Sequence, residues 1–220
     1  MTKVAIFDMN ETTLDLAEVR LAVNDVLDST HGFTMWFQKL LQLAMTSAVT
    51  GAHQEFSVLA PSALRTIAAS IEVELADDAV SRVGTALAAI APYPDVVAGL
   101  ESLRAAGWTT MPLTNSGSAS VTAQLSRNKL DHLFDHVLSV DAVQRFKPHP
   151  DPYLHALEVV GSGPEDTWMV ACHDWDLAGA RALGIHTAYV ARPHMDYADA
   201  YPRPDVFVAD FVELAETLTN

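Results

Sequence analysis

An α/β fold, with a parallel sheet and a helical insertion directly after its first strand, follows from three features of the sequence. Val4, Ala5, Ile6 and Phe7 form an apolar run that ends on Asp8, and such a run without alternation suits a strand covered on both faces by helices. Residues 15–91 then carry apolar side chains at helical spacing with no convincing strand. From Asp95 onward helix and strand alternate, which is the order of a parallel sheet joined by right-handed crossovers.

Taken in order, the first strand leads into the turn Met9-Asn10-Glu11-Thr12, and helices are expected over 16–27, 35–50, 55–70 and 77–90. Asp77 and Asp78 supply a helix start and Gly51 a helix stop. The linkers of the insertion fall near Asp15 and in the segment Ala91-Pro-Tyr-Pro94, whose prolines forbid a continuous helix. Next come a helix over 95–106 stopped by Gly107, a strand over 108–113, and a helix that starts in the serine-rich 116–120 and ends near Asn128. Strands are expected over 134–140, 167–171, 186–190 and 206–209, with helices over 152–160, 176–183 and from the last strand through Leu218. Residues 192–204, with three prolines, read as an irregular surface connection. The expected architecture is a Rossmann-like parallel sheet core, residues 1–14 and 92–220, with an inserted helical cap over 15–91.

At 220 residues, half of them hydrophobic, the chain can bury a sizeable core. No apolar run is long enough for a membrane span, and the N-terminus enters a strand without a signal-peptide pattern, so a cytoplasmic protein is expected. The single cysteine, Cys172, excludes an internal disulfide and fits a reducing compartment. Lys and Arg number 13 against 28 Asp and Glu, a formal charge of −15, which opposes nucleic acid and anionic membrane as partners. Positive charge that serves a small anionic substrate must therefore be local. A homodimer is a possibility if the inserted helices expose apolar surface.

Open α/β sheets bind ligands outside the carboxyl ends of their strands. Polar residues of distinct types stand at four successive candidate ends: Asp8 with Asn10 and Thr12; Thr114-Asn115-Ser116; Lys147 in Arg-Phe-Lys-Pro; and Cys172-His173-Asp174-Trp175-Asp176. In a parallel sheet these lie along one edge and can converge.

The order of these residues, with a helical insertion after the first motif, resembles the haloacid dehalogenase superfamily over essentially the whole chain. Asp8-x-Asn-Glu-Thr, the inserted helices, Lys147-Pro148 followed by Tyr153, and His173-x-Trp-Asp176-x-x-Gly-Ala180 are most similar to the type II, or L-2-haloacid, dehalogenases. The resemblance implies that Asp8 attacks a substrate carbon and displaces halide, and that water hydrolyses the resulting ester without metal or other cofactor. By residue type, Thr12 and Thr114 offer hydroxyls and Asn115 an amide to hold a carboxylate or orient Asp8. Lys147 would stabilise ionised Asp8 and attract an anion, by roughly 4 kcal/mol at about 4 Å and an effective dielectric near 20, before desolvation. Asp176 would hold Lys147 or cap the following helix, roles that are compatible. His173 would orient or deprotonate the hydrolytic water, or serve as a hydrogen-bonded structural histidine. Tyr153 reads as a substrate contact or a core residue of its helix. Trp36 and Phe37 read as core of the inserted helices that can also face the cleft, Cys172 as packing, and Glu11 and Asp174 as solvated or turn acids.

Most members of the superfamily are magnesium-dependent phosphatases with a second aspartate two residues after the nucleophile. Here that position is Asn10, which cannot transfer a proton, and the position four before Asp176 is Cys172 instead of a metal-binding acid. General acid-base catalysis contributes typically 10²–10⁴-fold, so its loss would raise a phosphatase barrier by roughly 3–5 kcal/mol. Halide leaves without protonation. The type II pattern itself has Tyr at Asn10, Gly at Glu11, Arg at Phe37, and Ser and Asn at Ala171 and His173; Arg20, Lys39 and His53 are the candidates to replace the missing positive charge. Carbon–halogen hydrolysis of a short 2-haloalkanoic acid is the expected reaction. A magnesium-dependent phosphatase or phosphonatase-like hydrolase and a non-catalytic anion- or partner-binding protein are the alternatives.

Overall fold

The computed structural model describes residues 3–220. Its six-stranded sheet is parallel throughout, in the order Leu138–Ser139, Thr109–Thr114, Val4–Phe7, Thr167–Ala171, His186–Val190, Val206–Val208. The strands are β1 (Val4–Phe7), β4 (Thr109–Thr114), β5 (Leu138–Ser139), β6 (Thr167–Ala171), β7 (His186–Val190) and β8 (Val206–Val208). A separate antiparallel ribbon pairs β2 (Leu14–Asp15) with β3 (Ala91–Pro92). Between the two ribbon strands lie α1 (Ala17–Val26), α2 (Gly32–Thr50), α3 (Phe56–Ser70) and α4 (Ala79–Ala89). The remaining helices are α5 (Val96–Ala105), α6 (Ser118–Arg127), α7 (Pro150–Val160), α8 (Asp174–Arg181) and α9 (Phe211–Thr219).

The apolar run of β1 is buried along its whole length because side chains alternate across a sheet that is covered on both faces. Ala5 and Phe7 join one core with Val96 and Leu100 of α5 and Phe211 of α9, while Val4 and Ile6 join another with Tyr153 of α7 and Leu177 of α8. Gly99 lets α5 approach α9: a β-carbon there would collide with the Phe211 carbonyl. The inserted helices have their own apolar interior, which includes Phe33, Trp36, Leu40, Ala63 and Val83 and is continuous with the first of these cores. The helix stop expected at Gly51 is a left-handed residue with φ 73°.

Most expected elements differ from the observed ones by one or two residues at their ends, but one reading is corrected. The strand expected over 134–140 is only Leu138–Ser139. The Asp135 carboxylate accepts the Thr110 N–H at 2.9 Å and the Arg104 guanidinium at 2.7 Å, so a side chain takes the bond that a longer edge strand would have made. Residues 192–204 are the irregular, mostly exposed connection expected, with Arg192 buried at its start: it pairs both nitrogens with Asp95 at 3.0 and 2.9 Å, donates from Nε to the Thr12 carbonyl at 2.9 Å and covers the Tyr93 ring. That clamp ties the loop beyond β1 to the segment that leaves the insertion.

Candidate active site

Register places the site. β1 lies between β4 and β6, with Ile6 opposite Met111 and Met169, so Asp8, Thr114 and His173 emerge at the same edge. The Asp8 N–H continues the ladder by donating to the Val170 carbonyl at 3.0 Å. Lys147 arrives from the loop between β5 and α7 and not from a strand end. Asn115 holds that loop, since its Oδ1 accepts the Lys147 backbone N–H at 2.9 Å. Thr114 Oγ1 accepts the Ser116 N–H at 3.1 Å and so shapes the turn after β4.

All three hydrogens of the Lys147 ammonium are engaged: with Asp8 Oδ1 at 2.9 Å, Asp176 Oδ2 at 2.6 Å and the Leu113 carbonyl at 2.8 Å. Asp176 is fully buried, and its other oxygen accepts the Tyr153 hydroxyl at 2.6 Å. Asp8 Oδ2 accepts from Thr12 Oγ1 at 2.8 Å and faces His173 Nδ1 at 2.9 Å, and Thr12 Oγ1 in turn accepts the Cys172 N–H at 3.0 Å. Burial alone would raise the Asp8 pKa, but the Lys147 ammonium and the His173 ring outweigh it and hold the carboxyl well below the usual range. Lys147 is raised because the attraction of Asp176 and Asp8 exceeds the effect of burial. Asp8 is therefore a desolvated carboxylate kept ionised by cations, the state a nucleophile requires.

Glu11, expected to be a solvated turn acid, is instead buried in a left-handed turn with φ 62°. Its Oε2 lies 3.3 Å from His173 Nε2 and its Oε1 3.2 Å from Arg20. His173 thus has a carboxylate at each ring nitrogen, a geometry satisfied fully only by the imidazolium. Burial would lower its pKa, but the Cys172 sulfur, Asp8 and Glu11 raise it well above the ordinary value. Three carboxylates, Asp8, Glu11 and Asp176, meet three basic groups, Lys147, His173 and Arg20, so the site is locally balanced in a strongly acidic chain.

The cap contributes unequally. Phe37 lies against the His173 ring, centroids 6.1 Å apart, and lines a cavity of about 230 Å³ with Glu11, Arg20, Phe33, His173 and Trp175. Trp36 is buried within the insertion, where its indole N–H donates to the Ala60 carbonyl at 3.0 Å, and it is not brought to the cluster. Tyr153 likewise sits behind Asp176, in the core. Of the three candidate cations, Arg20 lines the cavity, Lys39 bonds the exposed Gln42, and His53 stacks on Phe146. Asn10 stands at the inner end of a second cavity, about 590 Å³, between α3, α4 and the turn after β4. Its amide nitrogen donates to Ser116 Oγ at 3.3 Å and its Oδ1 has no partner among the described residues. The pairing of Glu11 with Arg20 and His173 escapes a sequence reading because nothing in a turn or on a helix face shows that residues nine apart, and a histidine 162 residues away, share one contact.

A magnesium ion suits this donor set poorly. Each Asp8 oxygen already accepts at least one hydrogen bond, from Lys147 or from Thr12 and His173, and a divalent cation there would face two positive groups. Among the described residues no trio of His, Cys, Asp or Glu is arranged to hold a metal.

The chain is similar to known proteins over nearly its whole length. The (S)-2-haloacid dehalogenase of Pseudomonas fluorescens is 26% identical over 98% of this chain and 96% of its own, and (S)-2-haloacid dehalogenase 4A of Burkholderia cepacia is 29% identical over 86% and 83%. The structure of L-2-haloacid dehalogenase from Xanthobacter autotrophicus with chloropropionic acid covalently bound superposes with a TM-score of 0.88, at 25% identity, over 99% of this chain and 98% of that one. The family model described as Haloacid dehalogenase-like hydrolase matches residues 5–190, and the chain belongs to that family.

Proposed function

We propose that this protein hydrolyses the carbon–halogen bond of a short 2-haloalkanoic acid through an ester on Asp8. The observation that carries this is the buried Asp8 carboxylate, held ionised by Lys147 at 2.9 Å, with an amide and not a carboxylic acid at Asn10. The first step needs a strong nucleophile and no proton donor, because halide leaves with the bonding pair. Asp8 Oδ1, bonded once where Oδ2 is bonded twice, retains a free lone pair for the attack. Water then cleaves the ester and releases the 2-hydroxy acid. Arg20 supplies the charge for the substrate carboxylate at the cavity wall, and Phe37 and Trp175 exclude water around the displaced halide. Phosphoryl transfer would lack its general acid at Asn10.

The inserted helices act as a cap, and the β2–β3 ribbon, on which the expected boundaries 14/15 and 91/92 fall, is its junction with the core. A homodimer would bury the α2 face that exposes Val49. No described helix is long and apolar enough to cross a membrane, and the buried free Cys172 suits a reducing cytoplasm.

Incubation with 2-chloropropionate in EDTA should release halide, and Asp8→Asn should abolish it. A single turnover in ¹⁸O-labelled water should place label in the Asp8 peptide. Turnover of phosphate esters on added magnesium, with no halide from any 2-haloacid, would overturn the reading.

A further inference from the structure

The ester formed in the first step needs a base to activate water, and Asp176 is badly placed for it. Both Asp176 oxygens are bonded, to Lys147 and to Tyr153, and the side chain is fully buried. His173 is placed well: Nδ1 lies 2.9 Å from Asp8 Oδ2, and the ring borders the 230 Å³ cavity together with Glu11 and Arg20. Liquid water occupies about 30 Å³ per molecule, so the cavity, which is lined by His173 and not by Asp8 itself, can supply water to the ring.

We propose that Glu11 and His173 form a dyad that hydrolyses the Asp8 ester, with Nδ1 as the base toward water and Glu11 as the positioning residue that holds Nε2–H. The proposal rests on the ester reading above. In the resting protein the ring lies between two carboxylates and is doubly protonated, so it donates to Asp8 and cannot act as a base. Alkylation removes the Asp8 charge while Glu11 keeps its own. The Nδ1 proton then has no anionic acceptor and leaves to solvent, whereas the Nε2 proton stays on the side facing Glu11. Substrate chemistry itself converts the histidine from donor to base, in the tautomer that presents Nδ1 to the ester.

The proton balance closes. Water oxygen bonds to Asp8 Cγ as Nδ1 takes one of its protons; the bond from Cγ to the alkyl oxygen breaks, and the departing alkoxide takes that proton back from Nδ1. The carboxylic acid left on Asp8 returns its proton to Nδ1 and restores the resting ion pair. Over the cycle, halide, a 2-hydroxy acid and one proton are produced from haloacid and water. The charged and titratable groups around the ring are Asp8, Glu11, Cys172, whose sulfur lies 3.9 Å from Nδ1, Asp174, His194 and Asp196 at the cavity wall and Tyr189 behind, with Arg20 beyond Glu11 and Lys147 beyond Asp8.

Rapid quench of the full chain with 2-chloropropionate, followed by halide assay and intact mass, tests the dyad. His173→Ala should release about one halide per chain and then stall, with ester accumulated on Asp8 and breakdown slowed about 10²–10⁴-fold. Glu11→Gln should slow breakdown about 10-fold and move its rising pH limb to lower pH, because the neutral amide no longer favours the imidazolium; Glu11→Asp should restore much of both. A structural role for Glu11 alone would leave that limb in place and overturn the assignment. Ester breakdown within about twofold of wild type in both variants, or loss of the halide burst along with breakdown, would also overturn it. Absence of any halide from wild type would instead refute the 2-haloacid reading, and the dyad with it.

Discussion

Replacing Lys147 with methionine keeps an unbranched apolar stem at a fully buried position and removes the charge together with its three hydrogen bonds. At 2.9 and 2.6 Å each flanking carboxylate attracts the ammonium by about 6 kcal/mol at an effective dielectric near 20. Desolvation offsets most of that, and removing one partner of a buried ion pair costs about 3–5 kcal/mol net. For a chain of 220 residues this corresponds to a fall in Tm of about 6–20 °C near neutral pH. The pH dependence is the sharper test. In the wild type the folded Asp8 pKa is depressed below 3.8, so its stabilisation is present above that value and is lost only as pH falls through the lower folded one. In Lys147→Met, Asp176, already raised by burial in the wild type, loses its cation and rises further, Asp8 keeps only His173 and loses most of its depression, and protonation of Asp176 relieves the buried charge. The Tm gap between the two proteins should therefore narrow from about pH 8 to about pH 5. Thermal unfolding followed by circular dichroism across that range measures it. Equal Tm at neutral pH, or a gap that does not change with pH, would refute a charge-centred role for Lys147.

Two further substitutions separate substrate binding from packing. Arg20→Gln should raise KM for a 2-haloacid about 10- to 150-fold with a smaller change in kcat, the worth of a charge-assisted contact of about 1.5–3 kcal/mol; steady-state kinetics with an unchanged KM would remove Arg20 from the anion site. Gly99→Ala drives a β-carbon into the Phe211 carbonyl and should cost about 1–3 kcal/mol, a fall in Tm of about 2–12 °C, with the halide reaction itself unaltered in the folded fraction.

The parallel sheet, the helical insertion and the edge that carries Asp8, Asn115, Lys147 and His173 were legible in the sequence because each depends on local pattern. An unalternating run such as 4–7 has one stable setting, between two layers of helices, and strand ends of a parallel sheet share an edge whatever the loops do. Where side chains competed with the backbone, local pattern misled. Asp135 took the Thr110 N–H and shortened β5. Periodicity also could not distinguish Trp36 from Phe37, neighbours on α2. A rotation of about 100° per residue sends one into the cap interior and the other toward His173.

The type of reaction follows largely from residue identity, since Asn10 has no proton to give and Asp8 has a carboxylate to attack with. Charge state and partnership belong to the tertiary structure. Whether Asp8 is ionised depends on three hydrogen-bond donors converging in a space closed to water, and whether His173 donates or accepts a proton depends on Glu11. These are balances between desolvation and contacts shorter than about 3.5 Å, and they are set by how the strands and the cap pack, not by the order of residues along the chain.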